Sequence, residues 1–321
     1  MTSDVSLDAL GLHPVRIPMR HRFRRVEHRD AVLIEGPAGW GEFSPFPEYP
    51  VSVAARWLAS ALEAACVGLP EPKRDRVPVN VTVPAVDPET ARRLVESSGC
   101  RTAKVKVAEP GQGESEDLAR LEAVRDALGP DGKVRVDVNA AWDVPTAAER
   151  IDRMAEFGLE YVEQPVPTIE EMRELRRRVD VPLAADELIR ELPDPQVVAE
   201  QEAADVVVVK VQPLGGPRRA LDVADRCGLP VVVSSALETS VGMAAGVAVA
   251  AALADLPYAC GLATVGLLSA DVTADPLLPV DGHVEVRRPV PDPGALDRHR
   301  PDAAVAAALI ERLRSAGELL T

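Results

Sequence analysis

The chain is poor in aromatic residues and in basic charge. Aromatic side chains make up 3% of its 321 residues, so leucine, valine, isoleucine and alanine must supply the core. The 36 lysines and arginines are outnumbered by 51 aspartates and glutamates, which gives a net charge of -15. This balance excludes the basic face of a nucleic-acid-binding protein and the polybasic segment of a membrane anchor. We therefore expect neither nucleic acid nor a membrane as a partner.

Cysteine pairs and long hydrophobic runs are also missing. The four cysteines, Cys66, Cys100, Cys227 and Cys260, form no C-x-x-C pair, which argues against a zinc site, a redox motif or a disulfide framework. The amino-terminal segment lacks the apolar core of a signal peptide, and the longest apolar stretch, residues 241–256, is shorter than a membrane span. We expect a cytoplasmic protein with reduced cysteines and no obligate protein partner.

Residues 1–76 are predicted to form a small α+β unit. Strands at residues 30–35 and 40–43 flank a glycine-containing turn and predict a hairpin, and residues 51–67 have helical spacing. Five arginines precede this hairpin, and they either contact a bound anion or belong to a solvated loop: Arg16, Arg20, Arg22, Arg24 and Arg25.

From residue 77 onward, predicted strands and helices alternate. The predicted strands are residues 79–83, 102–107, 134–138, 159–163, 182–186, 204–211, 229–235 and 258–264. Eight strands with intervening helices predict a parallel α/β barrel over residues 77–280. The alternative is an open doubly wound sheet, but no G-x-G-x-x-G fingerprint follows a strand here. In residues 281–321 we predict a strand at 283–286 and a helix at 296–319 that packs back on the amino-terminal unit.

Charged residues stand at the ends of the second to the sixth predicted strands. Lys104 and Lys106 share one face of the second strand, because side chains alternate along a strand. Two ammonium groups on one face of an apolar strand require anionic neighbours. The following strands supply three acids and then a further lysine: Asp137, Glu163, Asp186 and Lys210. Functional side chains of a parallel barrel gather at the carboxyl ends of its strands, so we expect these six residues to form one site.

The three acids of this set match the ligands of a magnesium ion. Three hard oxygen donors on adjacent strand ends can converge on one ion and leave positions open for water and substrate. Taken singly, each residue also has a structural interpretation, because an acid at a strand end can cap a helix and a lysine there can be solvated. Chance explains the ordered set K-x-K, D, E, D, K poorly, which favours the functional interpretation.

This order of residues resembles the active site of the enolase superfamily, in its muconate-lactonising subgroup. The resemblance covers nearly the whole chain and is supported by five stretches: residues 39–46, 137–139, 163–165, 210–216 and 234–242. It implies a (β/α)7β TIM-like barrel with an α+β capping domain built from the N-terminal region and the C-terminal tail. Within the subgroup the chain is most similar to the o-succinylbenzoate synthases, which are hydro-lyases of menaquinone biosynthesis.

The resemblance also implies a reaction and a role for each residue. A small anionic carboxylate, 2-succinyl-6-hydroxy-2,4-cyclohexadiene-1-carboxylate, would lose water by syn elimination through an enediolate. The metal, Mg²⁺ or else Mn²⁺, would be held by the three carboxylates, those of Asp137, Glu163 and Asp186. Lys106 would transfer the proton, and Lys104 and the metal would lower its pKa. Lys210 would stabilise the enolate as a cation, or act as a second acid and base.

Four polar residues would complete the site. Ser234 and Ser235, with the backbone N–H groups that follow them, would bind the succinyl carboxylate, or would simply cap a helix. Asn139 and Gln164 flank the expected metal ligands and would support them, or would serve surface or strand-pairing roles.

The residues are also compatible with two other functions. One is an N-acylamino-acid racemase or dipeptide epimerase of the same superfamily, in which both lysine positions act as obligatory acid and base. The other is a non-catalytic barrel that only binds a partner, which the complete set of site residues disfavours.

Overall fold

The computed structural model describes residues 6–23 and 26–320. Two of the five arginines singled out above, Arg24 and Arg25, lie outside the described residues, as does the side chain of Arg22. The predicted domain boundaries after residues 76 and 280 stay a prediction.

A three-stranded antiparallel sheet forms the amino-terminal part of the cap. Its strands are β1 (Gly11–Phe23), β2 (Val26–Gly36) and β3 (Gly39–Phe43), in that spatial order. The predicted hairpin is confirmed as β2 and β3. Strand β1 was not predicted, because Pro14 and Pro18 break the strand pattern in the sequence; prolines are tolerated there since β1 is the edge of the sheet. Helix α1 (Val51–Leu62) packs on this sheet and continues into a π-helical turn.

Seven parallel strands form the main sheet, in the order of the chain. After the short β4 (Arg76–Pro78) they are β5 (Val81–Val83), β6 (Thr102–Lys106), β7 (Lys133–Asp137), β8 (Leu159–Glu163), β9 (Leu183–Ala185), β10 (Val206–Lys210) and β11 (Val231–Ser234). The helices are α2 (Pro88–Ser98), α3 (Glu114–Leu128), α4 (Val144–Met154), α5 (Ile169–Arg176), α6 (Glu187–Glu191), α7 (Val197–Glu200), α8 (Val211–Leu214), α9 (Pro217–Cys227) and α10 (Ser240–Ala252). This is the α/β barrel that the sequence predicts.

The barrel closes through a short eighth segment. Cys260 bridges Val79, and Gly261 bridges Ser234 at the end of β11, both in parallel orientation. The predicted strand at 258–264 is therefore reduced to two bridges. Gly261 lies so close to β11 that a Cβ atom there would come within 2.4 Å of the Ser234 hydroxyl, so this position requires glycine.

The carboxyl-terminal tail returns to the cap. Strand β12 (His283–Glu285) pairs antiparallel with β4, and two helices follow, α11 (Pro293–Arg298) and α12 (Ala303–Gly317). The single helix predicted at 296–319 is wrong, because Pro301 cannot donate a backbone hydrogen bond and a new helix begins after Asp302, whose side chain caps it.

Helix α12 packs its buried side chains, Leu313 and Ala316, into the same apolar cluster as Trp57 and Leu58 of α1. Helix α10 is apolar on all sides and is buried almost throughout, between barrel strands and the cap. Among the residues that the structure describes, no helix is long and apolar enough to cross a bilayer.

Candidate active site

The register of the parallel strands brings the predicted charged residues together. Lys106 lies beside Asp137 in the β6–β7 pairing, and Asp137 lies beside Glu163 in the β7–β8 pairing. Asp186 follows β9 directly, and Lys210 is the last residue of β10. All are at the carboxyl edge of the sheet, as the sequence predicts.

Lys104 lies between two of the acids. Its Nζ is 2.7 and 2.9 Å from the two carboxylate oxygens of Glu163, and 3.0 Å from Oδ2 of Asp137. Burial disfavours the ammonium form, but these two carboxylates outweigh it and hold the pKa of Lys104 well above its ordinary value. Lys104 is therefore a fixed positive charge between Asp137 and Glu163.

Lys106 reaches the same carboxylate from the other side. Its Nζ is 2.5 Å from Oδ2 of Asp137, donates to Oδ1 of Asn139, and lies 5.4 Å from the centre of the Phe23 ring of the cap. Burial lowers the pKa of Lys106, and the positive charge of Lys104 lowers it further against the attraction of Asp137. A lowered pKa makes the neutral amine more available, which is what a proton-accepting lysine needs.

The third acid is paired with two cations. Oδ2 of Asp186 is 2.5 Å from Nζ of Lys210, and its Oδ1 accepts a bond of 3.1 Å from Arg190. Burial alone would raise the pKa of Asp186, but Lys210 and Arg190 hold it well below its ordinary range. Arg190 also bonds Glu187 at 2.9 Å. No pattern in the sequence singles out Arg190, because it lies one helical turn past the strand end.

The central acid differs from its neighbours. Burial, followed by the negative charge of Asp137, raises the pKa of Glu163 to about 7. Asp137 itself is held well below its ordinary pKa by Lys104 and Lys106, which outweigh its burial. The three carboxylates are at most 1% exposed, so their charges act on one another with little screening by water.

The three acids are chemically suited to bind a divalent cation. All three acids are hard oxygen donors, and the ammonium of Lys104 shows that the carboxylates of Asp137 and Glu163 reach one common cation. As the side chains stand, no three acidic, histidine or cysteine residues within 6–23 and 26–320 are grouped closely enough to hold an ion. The amines of Lys104 and Lys210 face these carboxylates instead. The shared metal ion therefore stays a prediction.

The two flanking amides contact the charged residues in different ways. Asn139 accepts from Lys106 and donates to Glu187 at 3.2 Å. Gln164 is fully buried, and its Oε1 accepts the backbone N–H of Asp186 at 2.9 Å. Both have a positive φ, of 50° for Asn139, which asparagine tolerates, and of 39° for Gln164, which glutamine adopts only when its surroundings hold it there. Gln164 thus fixes the backbone that carries Asp186.

The two serines lie at the end of β11 and form part of the wall of the site. Ser234 and Ser235 line a small cavity together with the three lysines and Asp137. The Ser235 hydroxyl donates to the carbonyl of Gly261 at 2.7 Å and lies 2.8 Å from the Thr264 hydroxyl. Neither serine caps α10, since that helix is capped by Thr239. Their predicted contact with substrate stays a prediction.

A larger cleft of about 850 Å³ leads from Lys106 and Asn139 to the surface, between cap and barrel. Phe23 and Tyr49 of the cap form part of its wall.

Two of the cap arginines serve other contacts. Arg16 forms an ion pair of 2.6 Å with Asp30 on β2, and Arg20 donates to the carbonyl of Leu268. These two arginines therefore fasten β1 in place.

Known proteins share this architecture and much of this sequence. The enolase C-terminal domain-like family matches residues 87–295, and the enolase N-terminal domain-like family matches residues 15–65. The o-succinylbenzoate synthase of Thermobifida fusca (strain YX) is 65% identical over 272 residues, which are 85% of this chain and 86% of that protein. The o-succinylbenzoate synthase of Mycolicibacterium smegmatis is 53% identical over 287 residues, 89% of this chain and 88% of that protein.

Solved structures of the same fold are more distant in sequence. The muconate lactonizing enzyme of Pseudomonas fluorescens, complexed with muconolactone, superposes with a TM-score of 0.78 at 24% identity, covering 91% of this chain and 98% of that one. The N-succinyl Arg/Lys racemase of Bacillus cereus has a TM-score of 0.77 at 21% identity, covering 91% and 97%. Because both enolase-type domains are matched in order and the sequence relatives are so similar, the chain belongs to the enolase superfamily, in its o-succinylbenzoate synthase branch.

Proposed function

We propose that this enzyme removes water from 2-succinyl-6-hydroxy-2,4-cyclohexadiene-1-carboxylate by syn elimination and forms 2-succinylbenzoate, the family's step in menaquinone biosynthesis. The observation that carries the proposal is the cluster of Lys106, Asp137 and Glu163 at adjacent strand ends, with Lys104 bound to both acids and Lys210 bound to Asp186 on the next strands. The 65% identity to the Thermobifida fusca enzyme supports the choice of substrate.

The proton next to the substrate carboxylate is weakly acidic, and its removal places a second negative charge on the carboxylate oxygens. Enolase superfamily members depend on a divalent metal; Asp137, Glu163 and Asp186 would hold such an ion here, and it would supply positive charge that stabilises those oxygens. We propose Mg²⁺ as that ion, because all three donors are hard oxygens.

Lys106 performs the proton transfers in this proposal. Its lowered pKa supplies a neutral amine that takes the α-proton, and the resulting ammonium returns a proton to the departing hydroxyl group. Syn elimination requires that both transfers occur on one face, so one residue can serve both. Lys104 stays charged beside it, and Lys210 contributes a second positive charge across the site.

An assay of the purified enzyme with the cyclohexadiene substrate tests the proposal. We expect 2-succinylbenzoate to form, EDTA to abolish its formation, and Mg²⁺ to restore it; Mn²⁺ addition compares the two ions. Absence of product in the presence of either ion contradicts the proposal.

Racemisation of an N-acyl amino acid is a second candidate, because amines lie on both sides of the carboxylates, at Lys106 and Lys210. Deuterium exchange from solvent into both enantiomers of such a compound, with no dehydration, would favour it. We propose a cytoplasmic location for either activity.

A further inference from the structure

The loop after β11, residues 235–239, lines the cavity beside the lysines through its first three residues, and residues of the cap hold it in place. Arg29 of β2 is 2% exposed and donates to the carbonyls of Leu237 at 3.0 Å and Ala236 at 3.1 Å. It also donates to the carbonyl of Ser44, and its guanidinium lies 4.3 Å from the centre of the Phe46 ring. One cap arginine therefore fastens two successive peptide groups of a barrel loop.

This contact fixes an uncommon backbone conformation. Leu237 has φ of +64° and is 2% exposed, and a leucine stays in the left-handed region only when its surroundings hold it there. In a trans peptide the C=O and the N–H point in opposite directions. Because the Ala236 carbonyl is bound to Arg29, the N–H of Leu237 points away from the arginine. Within the described residues this N–H forms no hydrogen bond.

A second cap residue holds the far end of the same loop. Glu42 of β3 is 2% exposed and accepts the N–H groups of Thr239 and Gly242, each at 3.1 Å, and the Thr239 hydroxyl at 2.5 Å. These residues begin α10, so the carboxylate fastens the point where the loop enters the helix.

We propose that Arg29 is a positioning residue for substrate binding: it holds the loop so that the Leu237 N–H, with Ser234 and Ser235, is available to the side-chain carboxylate of the substrate. Glu42 supports the same loop from its other end. This inference rests on the proposed function, because the succinyl arm is what supplies that second carboxylate. The arginine does not touch substrate; it acts through the loop.

Binding of two ligands separates this role from simple stabilisation. We would measure calorimetric affinities for 2-succinylbenzoate, and for benzoate, which lacks the succinyl arm, in the presence of Mg²⁺. In Arg29→Lys, the shorter ammonium cannot reach both carbonyls, so we expect 2-succinylbenzoate to bind about tenfold more weakly and benzoate to change less than twofold. KM should rise by a similar factor with kcat nearly unchanged.

Arg125→Lys is the matched control. Arg125 on α3 also bonds several backbone carbonyls, among them those of Gly129 and Phe157, at the opposite end of the barrel. It should lower thermal stability and leave both affinities unchanged. If Arg29→Lys does not fold, Glu42→Gln gives the second measurement, with the same selective loss expected.

Equal weakening of both ligands in Arg29→Lys, or the same loss in Arg125→Lys, overturns the positioning role. Full retention of 2-succinylbenzoate affinity overturns it as well, and leaves the dehydration proposal standing if the unmodified enzyme makes product. An unmodified enzyme that neither makes nor binds 2-succinylbenzoate overturns both.

Discussion

At the scale of single residues, Lys106 performs both proton transfers of the proposed reaction. Replacing it with alanine removes the only residue assigned to both proton transfers, so Lys106→Ala should lower kcat by at least about 100-fold. Steady-state dehydration assays measure this. Lys133→Ala is the control, because Lys133 opens β7 at the opposite, exposed end of a neighbouring strand. Near-normal turnover by Lys106→Ala would remove the lysine from the mechanism.

The raised pKa of Glu42 predicts that the stability of the protein depends on pH. Burial raises its pKa from 4.5 to about 7 in the folded protein. An acid whose pKa is higher folded than unfolded contributes stability that is present at low pH and is lost as pH rises through the folded value. Between pH 5 and 8 the wild type should lose about 2 kcal/mol of unfolding free energy relative to Glu42→Gln. Urea titrations at both pH values measure this; parallel pH profiles for the two proteins would contradict it.

The residues that the sequence predicts are those with a local signal. Lys106, Asp137 and Glu163 could be singled out because each ends an apolar strand, and parallel strands end at one edge; Lys104 shares a strand face with Lys106. Arg29 and Arg190 had no such signal. Arg29 bonds carbonyls that are more than 200 positions away in the chain. Its role therefore depends on a tertiary contact that no short sequence pattern encodes.

At the scale of elements, a glycine of β3 sets how closely α1 approaches the sheet. A Cβ atom on Gly41 would lie 2.0 Å from the carbonyl oxygen of Ala61, so α1 would have to move away from the sheet to make room for it. Gly41→Ala should therefore destabilise the protein by about 2 kcal/mol or more, measured by urea unfolding. Gly266→Ala is the control, since a Cβ there would meet no atom closer than 4.0 Å. Equal stability of the two variants would show that α1 moves freely over the sheet.

Elements with a regular period were predictable, and those shaped by long-range packing were not. The alternation of strands and helices over the barrel follows from apolar runs and from glycines that end helices, such as Gly99 and Gly228. Strand β1 was not predicted, because its prolines are typical of loops, although the edge strand of a sheet tolerates them. The predicted eighth strand is reduced to two bridges in the structure, because closure of the barrel, rather than the sequence of this segment, determines its pairing.

At the scale of the whole molecule, ion binding should couple the site to folding. A ligand that binds only the folded state stabilises it, by about 2.7 kcal/mol at 100 times its Kd. We expect saturating Mg²⁺ to raise Tm by several degrees, and Asp186→Asn to reduce the shift. Calorimetric scans with and without EDTA measure this. A shift of the same size in Asp186→Asn would place the ion elsewhere.

The cap and the barrel together make the site, since Phe23, Phe46 and the loop held by Arg29 all line the cavity that contains the lysines. The central feature of the proposed site is one ion shared by three acids. Anomalous diffraction from crystals soaked in Mn²⁺ tests this directly. We predict one peak in contact with Asp137, Glu163 and Asp186, with the amines of Lys104 and Lys210 moved off these oxygens. A peak elsewhere, or no peak with the acids still paired to the lysines, would contradict it.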